Sequence, residues 1–216
     1  MKIGIVTLPL WGNYGGILQN YALQYTLRNL GHDPITFDLM PGSTGLKYLF
    51  FFARNFISWI LGRSKSFFLP YAAKRNVVNI EKFVSDNITV TPPFWNTYSN
   101  RLIISNNIDV VIVGSDQVWR PKYSRNLKDM YLAFCKSIAI KKISYAASFG
   151  TDEFEYSSKS IKTYSKLLKY FNAVSVREKS GVSILQKLGR DDAIQVLDPT
   201  LLLQKKRIMI YYINVI

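Results

Sequence analysis

The sequence predicts an α/β protein whose parallel sheet is flanked by helices, and three observations support this fold class. Short runs of apolar, β-branched residues recur along the 216-residue chain, as in strands that are buried on both faces. Segments with helical spacing separate these runs. The first run, residues 3–8, leads into the glycine-rich turn WGNYGG and then into a helical pattern. This start is typical of a βαβ unit with a right-handed crossover, and therefore of a Rossmann-like sheet.

The individual elements follow from the same patterns. Apolar residues recur at intervals of three and four within residues 17–30, which predicts a helix that Gly31 ends. A second strand is expected at 34–39. Later strands are expected at 109–113, 142–147, 173–176, 193–197 and 207–216, with helices at 158–170 and from the REKSG loop to Leu188.

Composition restricts the classes of function. Hydrophobic residues make up 48% of the chain, which is enough for a packed core and excludes wholesale disorder. The formal charge of +14 favours anionic partners such as nucleic acid, a membrane surface or phosphorylated small molecules. The only cysteine, Cys135, and the only histidine, His32, exclude a disulfide within the chain and a His-rich metal site. We therefore expect no metal.

Residues 40–100 form a segment of different character, which we interpret as a basic, aromatic, helical insertion. Residues 40–75 contain lysine and arginine but no acidic residue. The apolar run Leu46–Leu61 is shorter than a membrane span and carries two basic residues, so an interfacial or partly buried helix is expected. A variable insertion that packs on itself or on another domain is the alternative. The N-terminus lacks a signal-peptide pattern, which favours a cytoplasmic location.

Polar and glycine residues follow the predicted strands, at the sheet edge where ligands of such folds bind. The first of these loops contains Asn13, Tyr14, Gly15 and Gly16 just before a helix N-terminus, which would suit a phosphate or carboxylate. The alternative is a tight turn that needs glycine dihedral angles.

The loop GSDQVW offers a different chemistry. Ser115, Asp116, Gln117 and Trp119 combine hydroxyl, carboxylate, amide and indole groups, a mixture that carbohydrate sites use for sugar hydroxyls and ring faces. The alternative is that Trp119 belongs to the core and Asp116 caps the next turn.

Two further loops complete the edge. Ser148 lies in the loop SFG, and Arg177 and Glu178 follow the strand at 173–176. An arginine at this place can hold a phosphate or carboxylate, or it can form an ion pair with Glu178. The sequence DPT at residues 198–200 follows the strand predicted at 193–197 and predicts a structural turn.

The combination of these blocks resembles the polysaccharide pyruvyl transferase family. The sequences GNYGGILQNYALQYTLRNLGH, IDVVIVGSDQVWRP, ISYAASFG, VSVREKSGVSILQKLG and VLDPTLLL carry the resemblance and cover most of the chain outside 40–100. It implies two Rossmann-like domains that face each other across a cleft, as in GT-B glycosyltransferases. It also implies transfer of pyruvate from phosphoenolpyruvate to two hydroxyls of a cell-envelope or exopolysaccharide sugar, which forms a cyclic ketal.

The resemblance also implies roles for residues. Residues 1–200 would form the acceptor-side domain and residues 201–216 the start of a second domain, so that the chain is expected to be a truncated form. Asp116 would be a catalytic base and Arg177 a ligand of the donor anion. Substrate-binding roles would fall to Asn13, Tyr14, Gly15, Gly16, Ser115, Gln117, Trp119, Ser148 and Glu178.

The expected partners follow from this reaction. Phosphoenolpyruvate is the co-substrate and no cofactor is expected; the acceptor is a sugar or a lipid-linked oligosaccharide, so that the protein would contact an anionic membrane at its inner face. Two other classes stay open: half of a GT-B-type glycosyltransferase, and a non-catalytic basic module. Because the basic residues are spread along the chain and form no recognised motif, nucleic acid is not an expected partner.

Overall fold

The computed structural model describes residues 1–10, 13–40, 71–95, 98–123 and 126–203. Within these ranges the chain forms a six-stranded, all-parallel sheet in the order β2-β1-β5-β6-β7-β8, and a separate pair of short parallel strands, β3 and β4. The strands are β1 (Lys2–Val6), β2 (Asp33–Thr36), β3 (Leu39–Met40), β4 (Phe94–Trp95), β5 (Val110–Val113), β6 (Lys141–Ala147), β7 (Ala173–Val176) and β8 (Ile194–Gln195).

Helices connect these strands. They are α1 (Tyr14–Asn29), α2 (Tyr71–Asn87), α3 (Asn100–Ser105), α4 (Leu127–Met130), α5 (Ser158–Leu168) and α6 (Lys179–Lys187), with 3₁₀ turns at Ala133–Cys135 and Pro199–Leu202. The predicted parallel α/β fold is thus confirmed. If the six strands of the large sheet are numbered one to six in chain order, their spatial order across the sheet is 2-1-3-4-5-6. This is the flavodoxin-like order with one strand added. The order reverses between β1 and β5, and ligands of such sheets bind at the carboxyl end of that reversal.

Both faces of the sheet are covered, which explains the apolar strand runs. On one face Ile5 and Ile112 pack with Leu23 of α1. On the other face Val113 and Val176 belong to a second core cluster. The latter also contains side chains from α5, α6 and the loop after β5, including Trp119, Leu168 and Leu185. This division is the doubly wound arrangement that right-handed crossovers produce.

Local signals account for most element boundaries. Helix α1 begins at Tyr14, earlier than predicted, because the Asn13 side chain accepts a hydrogen bond from the Gly16 amide and acts as its N-cap. The chain leaves α1 through Gly31, whose φ of 79° lies in the left-handed region. The predicted strand 193–197 is reduced to Ile194–Gln195, and the one predicted at 207–216 lies outside the described residues.

The described part of the 40–100 segment packs on the body of the protein. Phe83 of α2 meets Tyr21 of α1 edge to face, with ring centroids 5.5 Å apart. Gln24, wholly buried on α1, donates to Thr36 Oγ1 and to the Thr89 carbonyl, which fixes the chain after α2 against β2. None of the described helices has the length and apolar composition that crossing a membrane requires. The run Leu46–Leu61 lies outside the described residues.

Candidate active site at the carboxyl edge of the sheet

The loops that follow β1 and β5 meet at the carboxyl edge of the large sheet, where the strand order reverses. Asn13 Nδ2 donates to Asp116 Oδ2 across 3.0 Å, while Asn13 Oδ1 accepts the Gly16 amide at 3.3 Å. The other carboxylate oxygen of Asp116 accepts the Gln117 amide at 2.7 Å. Asp116 is only 9% exposed, so its carboxylate is held in one orientation with a narrow opening to solvent.

Gly16 is required by this close approach. A Cβ atom at Gly16 would lie 2.7 Å from Asp116 Oδ2, which is too short for a contact between these atoms. At the neighbouring Gly15 the nearest atom would be Asn13 Oδ1 at 3.4 Å, an ordinary contact. The two glycines of the predicted loop therefore differ. Gly16 is needed because it leaves room for the Asp116 carboxylate, whereas Gly15 is exposed at the first turn of α1 and no close contact requires glycine there.

The turn after β5 buries Ser115. Gly114 has φ of 137°, and a Cβ there would lie 2.1 Å from the Tyr145 carbonyl oxygen, so only glycine fits. Ser115 is 2% exposed, and no hydrogen-bond partner of its hydroxyl is found among the described residues. A buried hydroxyl without a partner is uncommon and marks a position where a ligand or water would be stabilising.

The loop after β6 joins the two neighbouring loops through Ser148. This wholly buried serine donates to Glu178 Oε1 at 2.8 Å and accepts the Gly150 amide at 2.9 Å. Its backbone amide donates to the Asp116 carbonyl at 3.1 Å. Pairing between β6 and β7 is irregular just before it, between Ser144 and Ala147. Such irregularities often redirect a strand end near a functional site.

Arg177 is the centre of an ion-pair group. Its Nε donates to Glu178 Oε1 at 2.8 Å, and its Nη1 lies 3.2 Å from Asp198 Oδ2. Further contacts run to Ser148 Oγ at 3.2 Å and to the Ser115 carbonyl at 3.5 Å. Burial lowers the pKa of the guanidinium, but hydrogen bonding and attraction from Glu178 and Asp198 outweigh it, so the net shift of the pKa is upward. Arg177 is therefore a fixed cation that holds four loops together.

Asp198 contributes to this edge although the sequence suggested only a turn. Its Oδ1 accepts the Thr200 amide and hydroxyl, at 2.9 and 2.7 Å, which is the predicted turn. Its Oδ2 also accepts hydrogen bonds from Gln19 of α1 and from Arg177. Sequence reasoning missed Gln19 and the tertiary role of Asp198. The available signal was the position of both residues inside the sequence blocks that resemble the family.

These residues form an acidic, polar constellation. Asp116, Glu178 and Asp198 contribute three carboxylates, and Arg177, whose side chain is 26% exposed, contributes a cation that contacts Glu178 and Asp198. An incoming anion would have to compete with two carboxylates that already contact the guanidinium. A hydroxyl group can still donate to these carboxylates, because each carboxylate oxygen can accept more than one hydrogen bond.

Trp119 does not provide a sugar platform, so this part of the prediction is wrong. The indole is 0% exposed, stacks on Tyr131 with centroids 5.1 Å apart, and donates Nε1–H to the Met130 carbonyl. Its aromatic faces are occupied by the core, which is the alternative that the sequence left open. Gln117 is turned towards Gly150, where a Cβ would lie 2.2 Å from its Oε1, and the same oxygen is 3.5 Å from Arg120 Nη1.

Most of the remaining predicted residues meet at this edge. Tyr14 packs beside the cluster that joins α1 to α2, and Gly15 is exposed. Asn13, Gly16, Ser115, Asp116, Ser148, Arg177 and Glu178 come together through the contacts given above. In the described ranges no group of three His, Cys, Asp or Glu side chains has an arrangement that would hold a metal ion.

A groove of about 530 Å³ lies beside the first turn of α5. Glu155, with a side chain only 8% exposed, contributes a carboxylate to it, and Lys122 Nζ lies 2.7 Å from Glu155 Oε1. The rest of the lining is mixed polar and aromatic: Pro121, Asn126, Leu127, Lys128, Tyr156, Ser157, Ser160 and Tyr164. Because only Arg120 separates Pro121 from the GSDQVW loop, the groove adjoins the candidate site along the chain.

Comparison with known proteins agrees with the resemblance found in the sequence. The family model for polysaccharide pyruvyl transferase matches residues 13–215, nearly the whole chain. The comparison with curated proteins finds no match. The matched region starts at Asn13 and includes every residue of the acidic constellation at the carboxyl edge. The chain therefore belongs to the polysaccharide pyruvyl transferase family.

Proposed function

We propose that this chain takes part in the transfer of pyruvate from phosphoenolpyruvate to two hydroxyls of a sugar in a cell-envelope polysaccharide or exopolysaccharide. The observation that carries the proposal is the Asp116 carboxylate, which Asn13 holds at the reversal of strand order. This is the place where open α/β sheets bind ligands, and a carboxylate there suits a group that must accept a hydroxyl proton.

The reaction defines what the residues must do. A proton adds to the methylene carbon of phosphoenolpyruvate, and the neighbouring carbon becomes cation-like. One sugar hydroxyl attacks that carbon and loses its proton. Phosphate then leaves with the electrons of the C–O bond, and the second hydroxyl attacks and loses its proton. The two hydroxyls together release two protons. One replaces the proton that was added to form the new methyl group, and the other is taken up by the departing phosphate.

In this proposal Asp116 accepts a hydroxyl proton, and Asn13 keeps its carboxylate in position. The acidic character of the constellation supports binding of the neutral, hydroxyl-rich acceptor on this side. Arg177 is the proposed ligand of the donor anion. Its contacts with Glu178, Asp198, Ser148 and Ser115 use four of the guanidinium's N–H groups. One of about five such groups thus remains for a donor carboxylate or phosphate oxygen.

The acceptor is proposed to extend beyond the reacting sugar. Buried Glu155 and the tyrosines Tyr156 and Tyr164 line the groove beside α5, and this mixture of carboxylate and aromatic surface suits further sugar units. An oligosaccharide, or a lipid-linked one, would therefore be bound in preference to a free monosaccharide.

A deletion experiment tests the proposal without knowledge of the acceptor. Deleting the gene in the source organism is expected to remove ketal-linked pyruvate from its surface polysaccharide, measured by the ketal methyl signal in proton NMR. Wild-type gene copies should restore this signal, and Asp116→Asn copies should not, because the amide cannot accept a proton.

Two results would contradict the proposal. Unchanged pyruvate content after deletion would exclude pyruvyl transfer by this protein. Loss of a whole sugar residue, with pyruvate retained on the remaining sugars, would instead indicate a glycosyltransferase. Asp116→Asn protein must be present at wild-type abundance, by immunoblot, for its failure to count.

A further inference from the structure

Helix α5 and its C-cap residue, Lys169, carry a row of lysines. Lys159, Lys162, Lys166 and Lys169 follow one another at intervals of three and four residues, so they lie along one side of the helix over about 15 Å. All four are exposed. We call these four residues the lysine row.

The opposite side of α5 is buried. Leu167 and Leu168 are part of the core, and Ile161 and Tyr164 pack against it. Ser165 Oγ also donates to the Leu188 carbonyl, which joins α5 to the end of α6. Since the helix is fixed in this way, the lysine row has a single orientation, outward from the sheet face that α5 covers.

The lysine row has no ion-pair partner in the described part of the chain. Helix α5 contains no acidic residue, and no ion pair to any of the four ammonium groups is found among the described parts of the chain. By contrast, Lys122 is paired with Glu155, and Arg190 with Asp192 near the C-terminus of α5. Like charges at these spacings destabilise a helix by a few tenths of a kcal/mol per pair, so an external anionic partner would relieve a repulsion.

We propose that the lysine row docks the protein on an anionic phospholipid surface. Lysine is a compact point charge that suits phosphate headgroups on a flat surface. The row contains none of the arginine, asparagine or glutamine side chains with which helices read bases, which favours lipid over nucleic acid. Tyr170, half exposed, directly follows the row and is of the type that settles at membrane interfaces. This inference does not depend on the proposed catalytic function.

Vesicle binding tests the inference directly. The full chain is sedimented with vesicles of phosphatidylcholine containing about 30 mol% phosphatidylglycerol, and with pure phosphatidylcholine vesicles, in about 0.1 M salt. Wild-type protein should bind the anionic vesicles only, and binding should fall as salt is raised. Lys162→Gln and Lys166→Gln should each weaken the partition about fivefold, and the double variant about 25-fold.

Lys82→Gln is the matched control. Lys82 is exposed on α2, which packs against α1 on the other side of the sheet, and its substitution removes the same charge. It should change the partition less than twofold, because salt screens charges beyond about 10 Å. Circular dichroism establishes that all variants are folded.

Three outcomes would overturn the proposal. Wild-type protein that fails to bind anionic vesicles has no such surface. Equal effects of Lys82→Gln and Lys162→Gln would mean that net charge alone is responsible. Loss of affinity for a DNA duplex in the row variants, with vesicle binding retained, would assign the row to nucleic acid.

Discussion

The side-chain amide of Asn13 donates to the carboxylate of Asp116 across 3.0 Å and so joins two loops 103 residues apart in the sequence. The same asparagine caps α1 by accepting the Gly16 amide. One side chain therefore fixes both the start of a helix and the orientation of the proposed base. This coupling means that small changes at the helix start should affect activity more than stability.

Gly16→Ala tests this coupling against Gly15→Ala. The new methyl group at position 16 would lie 2.7 Å from Asp116 Oδ2 and must displace the carboxylate. We expect pyruvate incorporation in the complemented deletion strain to fall by about tenfold to a hundredfold, since displacements near 1 Å have such effects. The free energy of unfolding should fall by no more than about 1–2 kcal/mol, because the weakened hydrogen bonds of Asp116 are partly offset by the better helix propensity of alanine.

Gly15→Ala is the control, because its methyl group meets only ordinary contacts. Activity close to wild type is expected, with a stability gain of up to about 1 kcal/mol from the better helix former. Equal losses of activity in both variants would show that the carboxylate position is not what matters.

Replacement of Arg177 should reduce stability as well as function. In Arg177→Met, the Glu178 and Asp198 carboxylates lose the cation that contacts both. The expected loss is about 1–3 kcal/mol in urea unfolding, which is less than for a fully buried pair because the side chain is partly exposed. Asp198→Asn should lower the free energy of unfolding less when it is added to Arg177→Met than when it is made in the wild-type protein, because the two residues share one interaction. Strict additivity would argue against the ion-pair group.

Trp119→Phe separates the core role of Trp119 from the sugar-binding role that the structure rejects. The variant loses the Nε1–H bond to the Met130 carbonyl and leaves a gap beside Tyr131. A stability loss of about 1–3 kcal/mol is expected, with pyruvate incorporation largely retained at a temperature where the variant is folded. Strongly reduced incorporation by a variant of unchanged stability would restore a role in sugar binding.

Glu155 should make the free energy of unfolding of the protein depend on pH. The hydrogen bond from Lys122 is the main cause of its lowered pKa; burial opposes this shift, and the attraction of Lys122 and Arg120 adds to it. A carboxyl group with a lowered folded-state pKa contributes stability above its ordinary value of 4.5, and loses it as pH falls through the lower folded value. Wild type should therefore exceed Glu155→Gln in unfolding free energy at pH 7 and lose this advantage below about pH 4. A difference that is independent of pH would contradict the ion pair with Lys122.

Much of the fold could be predicted from local patterns. The strands are buried on both faces, so their sequences are uniformly apolar, and glycine and asparagine mark the helix ends at Gly31 and Asn13. The loops that carry Asp116, Ser148 and Arg177 were predicted to meet because all strands are parallel and their carboxyl ends share one edge. The catalytic and binding roles of these residues stay predictions.

Local sequence patterns were enough to predict the fold class, the order of elements and the chemical character of the carboxyl edge, because periodicity and turn residues are local properties. Three features required the folded arrangement: Trp119 faces the core, Asp198 accepts from both Gln19 and Arg177, and Gly16 makes room for a carboxylate. These outcomes depend on contacts between residues that are far apart in the chain. A motif states which groups are present, but the packing of the surrounding core decides which partners they meet.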